Sequence, residues 1–397
     1  MINSLVAINA FFLYGGYYAI LMILFNFNLV DSIGTFYSVF VRFISVVILF
    51  LLSLKIFSRK FIKLDTLIFF NIIGFSLLYL IKIFNVSASG LLYEKYQYIF
   101  YFLSYCLLPF IFFSLIKMEM IYNKFFDWIQ NSNFIFLIFA IVFYGKYLLQ
   151  GVGRLNSSTI GTGEEVISPL VLSYVSSLAV SLAFVNIFLR GYKRLYNYLI
   201  LILAIPSFLL GASRGSLLVL FFTAFILMFF INFKTRIKFI IGGVLFSLIL
   251  YIVSLTTSSF IFTRFFNISD DVSANSDSTI RLLMWEKSLN EFNANILFGG
   301  VIEIDKIYPH NIYIESLMAT GLLGFICIIF SMLLVILKLF TLLKLDRKYV
   351  LIAVLFLNAI VQYFFSGALY FSILFFSSMG IVTGIYISNN EVKKCYL

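Results

Sequence analysis

The sequence predicts an all-α polytopic membrane protein with about 12 transmembrane helices. Hydrophobic residues make up 62% of the 397 residues and charged residues 11%, whereas soluble domains contain about half apolar and a quarter charged residues. The apolar residues form stretches of about 20, which is the length of a helix that crosses a bilayer. Clusters of basic residues follow five of the six even-numbered stretches, as expected for loops on the cytoplasmic side of a membrane.

Twelve apolar stretches are candidate spans. The chain shows no internal repeat and no second soluble domain, so residues 1–397 are predicted to form a single transmembrane domain. The predicted spans lie near residues 5–28, 33–56, 66–86, 98–116, 133–149, 167–189, 196–212, 215–232, 239–257, 312–338, 350–365 and 367–387.

The basic residues orient these spans. Five clusters lie after even-numbered spans, and the positive-inside rule places such loops, and with them both termini, in the cytoplasm. This topology also accounts for the excess of 28 Lys and Arg over 17 Asp and Glu, so the charge does not indicate a nucleic-acid partner. The clusters are Lys55/Arg59/Lys60/Lys63, Arg190/Lys193/Arg194, Lys234/Arg236/Lys238, Lys338/Lys344/Arg347/Lys348 and Lys393/Lys394.

The loop over residues 256–311, before the tenth span, is the only long polar segment and is predicted to be external. Within it, residues 279–292 place Ile280, Leu283 and Leu289 on one side, with Trp285 nearby. This pattern predicts a short amphipathic helix at the membrane interface, capped by Asp277 or Ser278.

Sequence signatures of several other chemistries are absent. The chain has no P-loop, no dinucleotide-binding glycine pattern, no His-Glu-x-x-His and no Cys-x-x-Cys. A single histidine and the lack of a cysteine cluster argue against zinc, and Asp270, Asp271 and Asp277 lack the spacing of a calcium loop. We therefore predict no metal site and no cofactor.

Arginines on the external side run against the positive-inside pattern. Arg214 and Arg154 come before spans eight and six, whose external ends are helix N-termini, and His310 comes before span ten. Free N–H groups at such ends favour anions, and the guanidinium fork suits phosphate, so together they predict a pyrophosphate site. The alternative for each arginine is a snorkelling side chain or a structural ion pair, and Arg281 in particular has Glu286 nearby.

His310 is the only histidine, and it lies between a proline and an asparagine at the end of the long external loop. An imidazole titrates near neutral pH and can accept a proton from a hydroxyl group. His310 is therefore a candidate general base, with hydrogen-bond donation and helix capping as alternatives. Glu315, on the following helix, is the rival base.

An ordered set of short motifs resembles the O-antigen ligase and polymerase superfamily. The later part of the chain has an Arg-x-x-x-Trp helix, a glycine-rich turn, a His-Asn pair at the start of a span and a Gly-x-x-Gly within that span. A Ser-Arg-Gly turn precedes them. In this chain the motifs are Ser213-Arg214-Gly215, Arg281 with Trp285, Phe298-Gly299-Gly300, Pro309-His310-Asn311-Ile312-Tyr313 and Thr320-Gly321-Leu322-Leu323-Gly324. The turn reads Gly299-Gly300-Val301 where members often have Gly-x-Gly, which leaves the role of these glycines open.

The resemblance implies a GT-C-like, metal-independent glycosyltransferase in the bacterial inner membrane, with the long loop in the periplasm. A polymerase of this superfamily joins undecaprenyl-pyrophosphate-linked repeat units into polysaccharide, whereas a ligase transfers the finished polymer to lipid A–core. Direct attack by one hydroxyl group is expected to invert the anomeric centre. Phe, Ile, Asn and Tyr richness favours the polymerase. A transporter or flippase is the alternative from another class, and it predicts repeats that the chain lacks.

The predicted partners are the lipid-linked glycan donor and acceptor, the bilayer and, as a candidate, a chain-length regulator protein. By the resemblance, external arginines hold the pyrophosphate and the loop histidine assists the acceptor hydroxyl. The predicted catalytic residues are His310, Arg214, Arg281 and Glu315, and the predicted substrate-binding residues are Arg154, Arg264, Arg42, Trp285, Asn311 and Tyr313.

Overall fold

The computed structural model of the protein describes residues 2–29, 33–56, 63–155, 167–262 and 277–395. Within these ranges the regular structure is helical, apart from one isolated antiparallel bridge between Ile304 and Ile307. The predicted all-α class is therefore confirmed. The segment 263–276, which contains the predicted substrate-binding residue Arg264, lies outside the described residues, as do the side chains of Asp277 and Ser278.

Fifteen α-helices follow one another along the described chain. They are α1 (Ile2–Leu13), α2 (Gly15–Asn26), α3 (Thr35–Lys55), α4 (Lys63–Asn85), α5 (Lys95–Phe102), α6 (Leu108–Leu115), α7 (Tyr122–Leu149), α8 (Pro169–Phe184), α9 (Arg194–Gly211), α10 (Arg214–Phe230), α11 (Phe233–Thr256), α12 (Asp277–Ala294), α13 (Ile312–Leu345), α14 (Val350–Phe365) and α15 (Ile373–Cys395). Short π-helical segments join α5 to α6 and continue α8 to Arg190.

The helices agree with the predicted spans in position. Nine helices of the described residues are long and apolar enough to cross a membrane, and the pair α1 and α2, bent by 57° at the break between them, is together long and apolar enough for a tenth. Two shorter apolar helices, α10 and the first part of α15, coincide with the predicted eighth and twelfth spans. The chain therefore has the helices of a polytopic membrane protein, and each predicted span overlaps one of them.

Contacts between helix termini show which termini lie together at each of two opposite ends of the molecule. At one, which we call the basic end, Lys117 N donates to Ile56 O at 2.8 Å and Lys193 pairs with Asp127 at 3.3 Å. At the other, the His310 end, Leu155 N donates to Leu210 O at 2.8 Å. Lys55, Arg190, Lys193, Arg194 and Lys348 lie at the basic end, whereas the first turns of α8, α10 and α13 lie at the His310 end.

Helix α8 is the central helix of the fold. Of its most apolar 18 residues, 83% are buried inside the protein. The helix packs against α7, α9, α10 and α14. Its Ser173, Ser176, Ser177 and Ser181 have no exposed surface, and such small side chains let neighbouring helices approach closely. The first turn of α8 thus reaches the His310 end from the middle of the bundle.

Helix α12 forms the predicted helix in the long loop. It packs on α13 through buried Met284 and Ser288. Ile280, Leu283 and Leu289 lie on the side away from the protein and are 41–53% exposed. An exposed apolar side outside the spans suits a helix at a membrane interface, which stays a prediction.

Candidate active site

The backbone of His310 is held in a left-handed conformation at the start of α13. Its φ of 59° is uncommon for residues other than glycine, although histidine adopts such values more readily than most. On one side, Asn311 Oδ1 accepts two backbone N–H bonds from the first turn of α13, at 2.9 and 3.2 Å. On the other side, Trp285 Nε1 donates to the carbonyl oxygen of Pro309 at 2.8 Å. Trp285 and Asn311 therefore fix the loop that carries His310.

Two motif glycines allow this loop to contact the backbone of α13. Gly299 has φ of 68°, and a Cβ atom there would lie 2.5 Å from the carbonyl carbon of Ala319. Gly321 has φ of 64°, and a Cβ atom there would lie 2.5 Å from the backbone nitrogen of Gly299. Gly300 N donates to Met318 O at 2.8 Å across the same contact. Although the turn lacks the alternating glycine pattern, Gly299 supplies the left-handed residue that it needs.

Arg281 ties α12 to the end of α14. Its Nη1 donates to the carbonyl oxygen of Phe365, the last residue of α14, at 2.8 Å. A cation at a helix C-terminus is stabilised by the helix dipole. The guanidinium is also close enough to Tyr174 and Tyr308 to interact electrostatically with both phenols.

Arg214 is the first residue of α10 and is half-buried. The next residue, Gly215, packs so tightly that a Cβ atom would lie 2.1 Å from the Tyr174 hydroxyl oxygen and 3.3 Å from the Phe365 ring. Arg281 interacts with the same two residues. The structure therefore brings the Arg214 turn and Arg281 to the same two neighbours at the N-terminus of α10.

Arg154 lies on the same side of the molecule. It is half-buried, and the adjacent Leu155 N donates to Leu210 O at the end of α9, four residues before Arg214. Arg154 therefore lies near the end of α9 that leads into the Arg214 turn, whereas the neighbours Tyr174 and Phe365 are common to the Arg214 turn and Arg281 only.

A cavity of about 470 Å³ opens beside His310. It lies between the first turns of α8, the loop that carries His310, the end of α14 and the break between α1 and α2. Pockets of this size hold small organic ligands. Its polar lining includes His310, Tyr308, Tyr174, Ser168, Ser366, Gln362, Asn133, Tyr17 and Tyr18.

Tyr308 connects His310 to this cavity. The Tyr308 and His310 rings are 4.3 Å apart, centre to centre, and both line the cavity. Burial raises the pKa of Tyr308 to about 12, so its phenol stays protonated and can donate a hydrogen bond at physiological pH.

Glu315 and Tyr313 lie behind the cavity wall. Glu315 is fully buried, and its carboxylate accepts hydrogen bonds from Leu369 N at 2.8 Å and from the Tyr79 hydroxyl at 3.5 Å. Tyr313 packs between the rings of Phe364 and Phe375, with centroid distances of 6.1 and 6.4 Å. Neither residue lines the cavity, and Glu315 holds the segment after α14 that does.

A second buried carboxylate supports the same segment and has no counterpart in the sequence-based prediction. Glu303 is 2% exposed and accepts hydrogen bonds from the Tyr370 hydroxyl at 2.9 Å and from Leu92 N at 2.8 Å. Burial, with Glu303 beside it, raises the pKa of Tyr370. In the sequence Glu303 is one of several acids in the long loop, and nothing local distinguishes it from the solvated ones.

Arg42 does not lie with Arg154, Arg214 and Arg281. It is buried in α3 with its guanidinium over the rings of Tyr101 and Tyr105, at 4.6 and 4.4 Å from their centres. A small cavity beside it shares Tyr17 and Tyr18 with the cavity at His310.

Among the described residues, no three His, Cys, Asp or Glu side chains lie together as ligands for a metal ion. Asp270 and Asp271 lie outside those residues. Metal independence therefore stays a prediction.

Comparison with known protein families matches residues 198–329 to the family described as O-antigen ligase. The matched segment runs from α9 into α13 and contains Arg214, Arg281, Trp285 and His310. It confirms the resemblance to the O-antigen ligase and polymerase superfamily and does not separate the two activities. A search of curated proteins finds no match.

Proposed function

We propose that the protein is an O-antigen polymerase. It joins undecaprenyl-pyrophosphate-linked oligosaccharide repeat units into polysaccharide, with the His310 end in the periplasm and both termini in the cytoplasm. The observation that carries this proposal is the arrangement around one cavity. The Arg214 turn and Arg281 share Tyr174 and Phe365, and Tyr174 lines the cavity together with His310.

The arginines act on the leaving group. When the sugar–phosphate bond breaks, negative charge develops on the pyrophosphate, and donors that are already in place lower the barrier. Arg214 offers a guanidinium at the N-terminus of α10, and Arg281 is held in place by Phe365. Arg154, half-buried on the same side of the molecule, is assigned to the same role. A bound metal ion is not required for this role.

His310 acts on the acceptor. Its imidazole takes the proton of the acceptor hydroxyl while the hydroxyl oxygen forms a bond to the anomeric carbon of the donor. The bond from that carbon to the pyrophosphate breaks with its electron pair leaving on oxygen, so a single displacement inverts the anomeric centre. Hydrogen bonds from Trp285 and to Asn311 hold the loop of His310 in position. Glu315, buried with two hydrogen bonds, serves as a positioning residue in this scheme.

The membrane arrangement supports this assignment. The described basic residues Lys55, Arg190, Lys193, Arg194 and Lys348 lie at the end opposite His310, which is the cytoplasmic end by the positive-inside rule. The exposed apolar side chains of α12 then meet the outer leaflet, beside the cavity in which the sugars react. Lipid-linked donors reach this depth by lateral diffusion in the bilayer.

An O-antigen ligase is the second candidate, because the matched family is described by that activity. Glycan profiles of cells that lack the protein separate the two. Loss of a polymerase leaves a single repeat unit on the lipid A–core, whereas loss of a ligase leaves bare core. We expect the single-unit profile, and a bare core would assign the protein to ligation.

A further inference from the structure

Arg42 is a buried cation for which the described residues supply no anion. It is 8% exposed, and its Nε and Nη1 atoms are buried and hydrogen-bond to no described residue. No carboxylate of the described chain forms an ion pair with it. A buried charge without an anionic partner is costly, and an ionisable residue inside a span is by default a candidate functional residue.

Three aromatic rings surround the guanidinium of Arg42. The Arg42 Cζ atom lies 4.6 Å from the ring centre of Tyr101, 4.4 Å from that of Tyr105 and 5.7 Å from that of Phe371. Such cation–π contacts stabilise a buried cation without supplying a counter-charge. Tyr105 also hydrogen-bonds the guanidinium, whereas Nε and Nη1 have no acceptor among the described residues.

Arg42 lines a small cavity that neighbours the main cavity. A cavity of about 30 Å³ lies beside Arg42, which is enough for a small group such as one water molecule or a single oxyanion oxygen. Tyr17, Tyr18 and Tyr105 line both this cavity and the one at His310. Arg42 lies in the second turn of α3, near the His310 end. A substrate in the main cavity can therefore place an anionic group against it.

We propose that Arg42, with Tyr17, Tyr18 and Tyr105, forms a second anion subsite that binds an oxyanion of the glycan substrate. It is separate from the arginines at Tyr174 and Phe365. The inference rests on the proposed function in taking the occupant to be a lipid-linked glycan. Two sources carry the required oxyanion, namely the phosphoryl group of a second lipid-linked substrate and the carboxylate of an acidic sugar. A polymerase uses two pyrophosphate-linked substrates at once, so a second subsite has a place in its reaction.

Binding of small anions to the purified full-length protein tests this subsite. The starting variant carries Arg214→Gln and Arg281→Gln, which weakens the first anion site. The probes are inorganic pyrophosphate, glucuronate and, as the neutral control, glucose at matched ionic strength, with affinity measured from the shift of the thermal unfolding midpoint. We expect one of the two anions to bind saturably. Adding Arg42→Gln should lower the affinity for that anion about tenfold or more, since hydrogen bonds to a charged group are lost.

The preferred probe identifies the source, because pyrophosphate binding indicates a phosphoryl group and glucuronate binding indicates an acidic sugar. Arg190→Gln, which removes a cation at the basic end, is the matched control and should change nothing. If neither anion binds, or if binding is equal with and without Arg42→Gln, the subsite does not exist.

Two further variants cover the cases in which Arg42→Gln alone does not decide. Where Arg42→Gln fails to fold, Tyr18→Phe removes one hydroxyl of the subsite and should lower the affinity for the same anion severalfold. Unchanged affinity overturns the proposal. Asp31 lies outside the described residues and belongs to the connection before α3. Binding that appears only after Asp31→Asn would make Asp31 the partner of Arg42 and end the proposal. All these measurements report binding alone, so they stand or fall independently of polymerisation.

Discussion

Arg281 Nη1 donates a hydrogen bond to the carbonyl oxygen of Phe365 at 2.8 Å and so joins the long loop to the end of α14. The same end of α14 contacts Gly215, next to Arg214. One helix terminus thus sets the spacing between two arginines that are far apart in the chain. Placement of this kind is what charge stabilisation of a leaving group needs, because the donors must be in position before the charge develops.

Arg214 should be required for activity. Arg214→Ala removes the guanidinium at the N-terminus of α10 and should nearly abolish polymer formation at normal protein levels. Arg214→Lys keeps the charge without the planar fork, so we expect a loss of about tenfold or more. Polymer length on gels and protein level on blots measure both effects. Arg190→Ala, at the basic end, is the control, and full-length polymer in Arg214→Ala would give Arg214 a structural role.

Trp285→Phe tests the support of the His310 loop. The change keeps an aromatic ring and deletes the N–H group that bonds Pro309. Since a single hydrogen bond of this kind contributes about 0.5–1.5 kcal/mol, turnover should fall about 2- to 10-fold as the loop loosens. Trp128→Phe, in which the altered ring is 40% exposed, is the matched control. Equal turnover in both variants would exclude this positioning role.

Gly321→Ala should destabilise the protein. The residue has φ of 64°, and its Cβ atom would lie 2.5 Å from backbone atoms of the Gly299 segment. With ψ of −164°, this backbone conformation is one that essentially only glycine adopts, so a Cβ atom costs about 1–3 kcal/mol there, and the overlap adds to that. The thermal unfolding midpoint in detergent measures the loss. At Gly74, where a Cβ atom would meet no atom within 4 Å, alanine should leave the midpoint unchanged or raise it.

Turnover should not depend on a divalent cation. In the proposed mechanism arginines and a helix N-terminus take the place of a metal ion. Purified protein with lipid-linked repeat units should therefore keep its activity in excess chelator. Activity that disappears with chelator and returns with magnesium or calcium would point to Asp270, Asp271 or Asp277 as ligands.

The spans were predictable because a bilayer demands long apolar helices whatever their packing. The break in the first span was not, since Gly15 and Gly16 lie within a continuous apolar run. It forms because Gly16 N bonds Ser132 Oγ at 2.6 Å, and a Cβ atom at Gly15 would lie 2.9 Å from the Asn133 Cα atom. That is a contact between segments more than a hundred residues apart.

The site was predictable in part. Motif residues such as Trp285, Asn311 and Gly321 have local reasons for their identity, and the structure supplies each reason. The burial of Glu315 and Glu303 depends on how α4, α5 and the segment after α14 pack around them, which no local pattern encodes. The aromatic surroundings of Arg42 could not be predicted from the sequence either, because tyrosine and phenylalanine are common throughout the chain.

The most direct test is single turnover by His310→Gln with purified protein, lipid-linked repeat units and a separate measurement of donor affinity. Glutamine can donate a hydrogen bond but cannot act as a base near neutral pH. If His310 takes the acceptor proton, the rate should fall about 10²–10⁴-fold while donor affinity stays within a few-fold of the original. A rate close to the original would remove the general base from His310, and a parallel fall in donor affinity would assign the residue to pyrophosphate binding instead.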